Sequence, residues 1–341
     1  MPFQTSSFFP QSLYEKITET RIGKPELIIT AAERRVRPED ITYDGKLTLL
    51  AADHPARRVT AAGNDPIAMG DRYELLGRIL RVLATEFDGV VATVDVLEEL
   101  LILDQLIVDA GGDSFLADTL LIASINRGGL QGSAWEMNDR LSSFSTDALM
   151  RLRVDGVKML LRLDLQDEAS GETLDYCARA IDEVDRLGAG LAVFLEPLPV
   201  RKGANGYEIV KTVEELVKTV GVASALGSTS ANTWLKLPYM DNFGRVARAT
   251  TLPILMLGGE IVDSPLSLLE TFAKGMKAGA NVRGVVVGRN ILFPPNMEDP
   301  AAIAHAIEAI AHDGADARAA YGKMGEARNS EMDWVMNLFK A

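Results

Sequence analysis

Short apolar runs recur along the chain, and each is followed by a stretch with helical spacing. Lys46–Asp53, Gly89–Thr93, Thr119–Asn126, Gly156–Leu163 and Gly190–Glu196 read as five strands. Three more follow, around Ala231–Pro238, Leu252–Gly259 and Gly284–Val287. Between them, apolar residues fall at the period of a helix. In Asp71–Glu86 the stripe is Leu75, Leu76, Ile79, Leu80 and Leu83. Helices are also predicted over Val94 to about Leu106, Thr146–Leu152, Thr173–Leu187, Thr212–Leu226, Asn242–Ala249 and Pro265–Ala278. Eight strands alternating with helices predict parallel strands closed into one (β/α)8 barrel over residues 46–312. Residues 1–45, with a helix over Gln11–Thr20, form an extension that serves as a lid over the barrel bottom or as an oligomer arm. A helix over Pro300–His312 and an amphipathic tail over 313–341 complete a single domain with extra helical segments at both ends.

In such a barrel the C-terminal ends of the strands share one face, where active sites are built. Those ends carry the residues of interest. The sixth strand ends Trp234-Leu235-Lys236-Leu237-Pro238, the seventh in Gly258-Gly259, the eighth in Gly288-Arg289. The fifth ends on Glu196, a carboxylate closing an apolar strand. In the fourth, alternation sets Lys158, Leu160 and Arg162 on one face and Val157, Met159 and Leu161 on the other. The apolar set suits the helix layer, which leaves two cations pointing into the barrel, a costly place without a partner or ligand.

Alone, Lys236 reads as a strand-end lysine whose amine reaches water. Together with Lys158 and Glu196 it reads as a nucleophile. A lysine attacks a carbonyl only as the neutral amine, and burial and a nearby cation favour that form. Lys158, on an alternate strand, supplies the cation, and Glu196 on the strand between can move protons. Glycine at 258, 259 and 288 lets backbone N–H groups approach a phosphate, and Arg289 adds a two-pronged charged contact.

These strands resemble class I (Schiff-base) aldolases of the DeoC/LacD/archaeal fructose-bisphosphate aldolase superfamily, most strongly from residue 150 onward. The resemblance implies an imine on Lys236 and phosphate binding by Gly258, Gly259, Gly288 and Arg289. The tagatose-bisphosphate branch has a lysine and a glutamate that fall on Lys158 and Glu196. Asp53, ending the first strand, matches an aspartate that contacts substrate hydroxyls. Arg162 is a departure, standing in a region where archaeal fructose-bisphosphate aldolases carry a tyrosine acid/base, so Glu196 or Lys158 becomes the candidate proton carrier. The segments Ala51-Ala52-Asp53-His54-Pro55, Asn126-Arg127-Gly128-Gly129-Leu130 and Thr233-Trp234-Leu235-Lys236-Leu237-Pro238 resemble a DeoC-like branch linked to myo-inositol catabolism. That branch implies cleavage of 2-deoxy-5-keto-gluconate 6-phosphate to dihydroxyacetone phosphate and malonate semialdehyde. Fructose or tagatose bisphosphate, sulfofructose phosphate and deoxyribose phosphate are alternatives, as is a phosphate-binding isomerase barrel without imine chemistry. Asn126, Arg127 and Arg162 are further substrate contacts, and Arg57, Arg127 or Arg162 would meet a second anionic group.

Composition narrows the partners. Of 341 residues, 47% are hydrophobic and 24% charged, as in a soluble enzyme. A net charge of −13 argues against nucleic acid or an anionic membrane, and it requires a local positive site for a sugar phosphate. No apolar run approaches the roughly 20 residues of a membrane span. The first residues lack the regions of a signal peptide, and the single cysteine, Cys177, suits a reducing cytosol. The expected protein is a cytoplasmic homo-oligomer. Three histidines, His54, His305 and His312, lack metal-ligand spacing, so no metal and no cofactor are expected.

Overall fold

The structure, a computed structural model, describes residues 2–204, 206–259 and 261–339. Nine strands follow in chain order: β1 (Leu47–Ala51), β2 (Gly89–Ala92), β3 (Leu120–Ser124), β4 (Gly156–Leu163), β5 (Ala192–Gly203), β6 (Gly206–Ile209), β7 (Thr233–Pro238), β8 (Ile254–Leu257) and β9 (Val282–Val287). All but β6 pair in parallel, in the order β4-β3-β2-β1-β9-β8-β7-β5. A further β4–β5 pairing closes the circle. The fold is a (β/α)8 barrel, with β7, β8 and β9 as its sixth, seventh and eighth barrel strands.

Alternation along each strand sorts two packed layers. Leu47, Leu49, Val91, Ile122, Phe194, Leu255 and Val286 meet inside the barrel. Leu50, Val157, Met159, Leu161, Leu195, Leu235 and Leu237 join the larger layer between strands and helices. Closure brings β9 tightly against β1. A Cβ on Gly284, at φ +131°, would overlap the Leu47 carbonyl. Only glycine holds that backbone region without strain.

β5 runs well beyond the expected end at Glu196. Its prolines, which argue for a stop, fall where they cost nothing. The Val193 amide points to the β7 side, donating to the Asn232 carbonyl, and alternation gives positions 197 and 199 the same direction. Pairing with β7 ends at Leu195, so Pro197 and Pro199 lack a donor where no partner needs one. Beyond them β5 turns back as an antiparallel hairpin with β6 (Val200 opposite Ile209), and the Val210 amide donates to the Pro199 carbonyl. The apolar pattern of β6 is too short and interrupted to read as a strand.

The extension over residues 1–45 holds two helices, Gln11–Gly23 and the unexpected Leu27–Arg34. It packs outside the barrel rather than simply beneath it. Phe9 stacks on Tyr73 at 5.5 Å, and the Tyr73 hydroxyl donates to the Phe9 carbonyl at 2.6 Å. Only its end reaches the barrel bottom. There the buried Arg35 donates to the Thr119 carbonyl at 2.7 Å and the Asp155 carboxylate at 3.0 Å, at the starts of β3 and β4. The tail adds helices Ala317–Ala327 and Trp334–Leu338, and Trp334 meets Phe8 edge-on at 6.0 Å. No described helix is long and apolar enough to cross a membrane.

Asp155 also accepts from the Leu121 amide at 2.8 Å and pairs with Arg37 at 2.7 Å. Asp155→Asn keeps an oxygen for that amide but leaves the Arg35 charge unbalanced in the interior. Breaking one side of a buried pair costs about 3–5 kcal/mol. Urea unfolding should show a loss of that size, and a change under about 1 kcal/mol would show that the pair does not hold the barrel bottom.

Candidate functional site

Five charged side chains, three of them from β4, β5 and β7 and two from just past β1 and β3, form one row across the C-terminal mouth of the barrel. Glu196 of β5 stands between two lysines, with Lys158 of β4 at 2.6 Å and Lys236 of β7 at 3.0 Å. Lys158 also reaches Asp53, just past β1, at 3.3 Å. Asp53 accepts from the Ser124 hydroxyl at 2.7 Å and pairs with Arg127, just past β3. Charges alternate along the row: Arg127, Asp53, Lys158, Glu196, Lys236. All five are buried.

This packing shifts the groups. Burial alone would raise Glu196, but Lys158 and Lys236 outweigh it and hold the carboxyl far below the usual range. Lys158 is pushed well below an ordinary lysine by burial, with Arg127 and Lys236 adding and Glu196 opposing. Lys158 therefore gives up its proton more readily than a solvated lysine.

The row forms the floor of a cavity of about 770 Å³. Gly258, Gly259, Gly288 and Arg289 line it on the β8–β9 side, and Tyr207 and Lys211 line it from the hairpin side. The turns after β8 and β9 brace each other. Asn290 donates to the Gly258 carbonyl at 2.7 Å and accepts from the Val262 amide at 2.9 Å. Arg289 reaches the Gly259 carbonyl at 3.4 Å. Gly259 has φ +67°, and a Cβ on Gly288 would come within 2.6 Å of the His54 ring and 2.7 Å of the Ala51 carbonyl. Of the described lining residues, Arg57, Arg127, Lys158, Lys211, Lys236 and Arg289 are cations, against Asp53, Glu196 and Glu208. The cavity is thus locally positive in a chain of net charge −13.

Two residues expected at the substrate stand elsewhere. Arg162 is held by Asp139 (2.9 Å) and Glu136 (3.3 Å) from the loop after β3, and it does not line the cavity. Asn126 donates to the Leu160 carbonyl and accepts from the Leu160 amide, both within 2.7 Å, knitting the end of β3 to β4. Cys177 packs beneath them, its thiol pushed up to about 12 by burial.

His54 is a cavity residue that the sequence reading weighed only as a metal ligand. Its signal was the neighbouring Asp53 and the glycine at 288 that makes room for its ring. Among the described residues, no group of three or more His, Cys, Asp or Glu is arranged to hold a metal ion.

The Cgl0159-like family profile matches residues 45–307, the whole barrel. The chain belongs to the Cgl0159-like family. Cgl0159 from Corynebacterium glutamicum, whose crystal structure is known, is 32% identical, with a TM-score of 0.81 over 89% of this chain and 98% of that one. A 2-amino-3,7-dideoxy-D-threo-hept-6-ulosonate synthase from Archaeoglobus fulgidus is 25% identical over 213 residues, 62% of this chain and 74% of the synthase. The fold is shared with an archaeal fructose-1,6-bisphosphate aldolase solved with its catalytic lysine covalently bound to the carbinolamine intermediate. That chain is 20% identical, with a TM-score of 0.55 over 83% of this Cgl0159-like chain and 99% of its own.

The imidazole of His54 is pushed down to about 3 by burial, with Lys236, Arg289 and Lys158 adding. His312, between Asp88 and Asp44, and His305, beside Glu308, are raised instead. Between pH 5 and 8, NMR should therefore show two titrating histidines, both above the ordinary value of about 6.5, and one fixed neutral ring. An unfolded chain protonates His54 near pH 6.5 while the folded chain refuses the proton. Its contribution thus lowers stability as pH falls through 6.5. Three rings titrating together near 6.5 would contradict the placement of His54 beside Lys236, Arg289 and Lys158.

Proposed function

We propose that the protein is a class I aldolase that cleaves a phosphorylated keto-sugar through a Schiff base on Lys236. The observation that carries this reading is the placement of Glu196 between two buried lysines, on the floor of a positive cavity edged by the Gly258-Gly259 and Gly288-Arg289 turns. The aldolases and the synthase among its relatives support the same chemistry.

In this mechanism the substrate phosphate lies against the turns after β8 and β9, where backbone N–H groups and Arg289 meet its charge. The Lys236 amine attacks the ketone, and loss of water leaves an iminium. A base removes the proton of the hydroxyl on the carbon beyond the scissile bond. That C–C bond breaks, its electrons neutralise the iminium to an enamine, and the aldehyde departs. Protonation and hydrolysis of the enamine release dihydroxyacetone phosphate and the lysine.

Glu196 is the proposed base, although its resting proton affinity is low. The two lysines cause that low affinity, and one of them loses its positive charge in the step that forms the enamine. The carboxylate therefore becomes more basic as the proton arrives. Lys158, with its own proton held loosely, is placed to reprotonate the enamine. Asp53 takes substrate hydroxyls while anchoring Lys158, and His54 presents a neutral ring to the same space.

For the substrate itself, the favoured reading is 2-deoxy-5-keto-gluconate 6-phosphate, which yields malonate semialdehyde as the aldehyde. Its support is the likeness of the segments around Asp53, Asn126 and Lys236 to the inositol-linked branch.

Incubation with dihydroxyacetone phosphate and borohydride should fix one adduct per chain, mapped by mass spectrometry to Lys236. Lys236→Ala should abolish adduct and cleavage. Lys158→Met should still be trapped, but with turnover slowed by about 10²–10⁴, the range of a lost acid/base group. An adduct on Lys158 reverses the two roles, and cleavage without any trapped lysine rules out imine chemistry.

A further inference from the structure

Four cations come from the strand ends nearest the ketone, and each has a carboxylate within 3.3 Å. Lys158 and Lys236 share Glu196, Arg127 pairs with Asp53, and Arg162 is held by both oxygens of Asp139 and by Glu136. Arg57 differs. It ends a short turn of helix after β1, and its side chain is only 11% exposed. Its Nε donates to the Gly129 carbonyl at 2.8 Å in the loop after β3. The nearest carboxylate, Asp139, is 3.7 Å away and already committed to Arg162. Among the described residues neither Nη of Arg57 has a partner, and the side chain lines the cavity. Burial and Arg162 bring it down to about 10, so it stays cationic at neutral pH.

Its position adds direction. The Gly129 bond draws Arg57 across to the β3–β4 side of the mouth, and the glycine turns lie at β8–β9, diametrically opposite in an eight-stranded ring. With the phosphate on those turns and the ketone at Lys236, the aldehyde-forming half of the substrate points at Arg57. A guanidinium offers two parallel N–H donors, the geometry of a carboxylate. Asp139 and Glu136 between them already face Arg57 and Arg162, so burying the single charge of a carboxylate there costs less than burying the two of a phosphate.

We propose that Arg57 determines specificity for the half of the substrate remote from the phosphate, receiving a terminal carboxylate on the aldehyde fragment. The inference rests on the aldolase reading and deepens it. The substrate class is a keto-sugar acid phosphate, anionic at both ends. Arg57 takes no part in bond breaking; it sets the reach and charge of the acceptor.

The test is aldol addition of dihydroxyacetone phosphate to three acceptors: malonate semialdehyde, glyceraldehyde 3-phosphate and uncharged propionaldehyde. The wild-type protein should favour the carboxylate. Arg57→Gln should lower kcat/KM for it by about 10–100-fold, mainly through KM, as expected for a lost charged hydrogen bond. The propionaldehyde reaction should change less than about threefold, and Arg57→Lys should restore part of the loss. Equal loss with all three acceptors would make Arg57 only a clip on the Gly129 loop, and a wild-type preference for glyceraldehyde 3-phosphate would overturn the carboxylate. Borohydride trapping with dihydroxyacetone phosphate alone separates the two claims. If no imine forms, the aldolase reading fails, and calorimetric titration with malonate decides the anion site. Binding that Arg57→Gln abolishes supports it, and no binding, or binding unchanged in the variant, overturns it.

Discussion

The arrangement depends on one buried carboxylate. Glu196 sits where two lysines meet, and among the described residues it is the one carboxylate paired with Lys236. A single buried charge is costly, and two like charges on adjacent walls are worse. The carboxylate makes both tolerable, and the cations in turn keep it ionised. Asp53 repeats this one step further along, between Lys158 and Arg127. The row alternates in sign and ends in cations at both extremes. Apolar side chains of similar volume would fill such a layer at no loss of stability. A charged floor that weakens the fold points to a use other than stability, and its burial loosens the proton on Lys158.

How much of this was legible in the chain follows from the geometry of strands. The period of two that puts Val157, Met159 and Leu161 against the helices also puts Lys158 inside, so the facing of β4 could be read directly. Glu196 and Lys236 stood out for the same reason, as charges closing apolar runs. Loop closure has no period. Nothing in the spacing of Glu136 and Asp139 shows that the loop after β3 folds back onto Arg162, and so an arginine that looked ready for substrate is spoken for. Asn126 misleads in a related way. A polar residue just past a strand can serve the next strand's backbone as readily as a ligand. The hairpin beyond Glu196 was hidden by two prolines whose missing donors happen to face the side where β7 has ended.

The two ends of the barrel use charge in opposite ways. At the bottom, Arg35 and Asp155 are matched and also bound to backbone groups that start β3 and β4. Such contacts hold register, and the second arginine on Asp155, Arg37, is half-exposed. At the mouth, the described cavity residues leave cations in excess, and the chain as a whole is strongly negative. A positive cleft in a negative surface concentrates field lines in the opening. Anions are repelled from most of the molecule and drawn to one place.

That division explains the loops. The turns after β8 and β9 are tied together through Asn290, and Arg57 is tied by one nitrogen to the loop after β3. Each tie fixes a group by its base while its tip stays at the cavity. Rigid placement matters to the proposed reaction, in which one lysine reaches a carbon while protons move to neighbours about 3 Å away. A floor of interlocked charges cannot shift one member without exposing another, so it holds Lys236 still. On the proposed function, discrimination between substrates is then left to the rim. There, a side chain can change its ligand without disturbing the row beneath it.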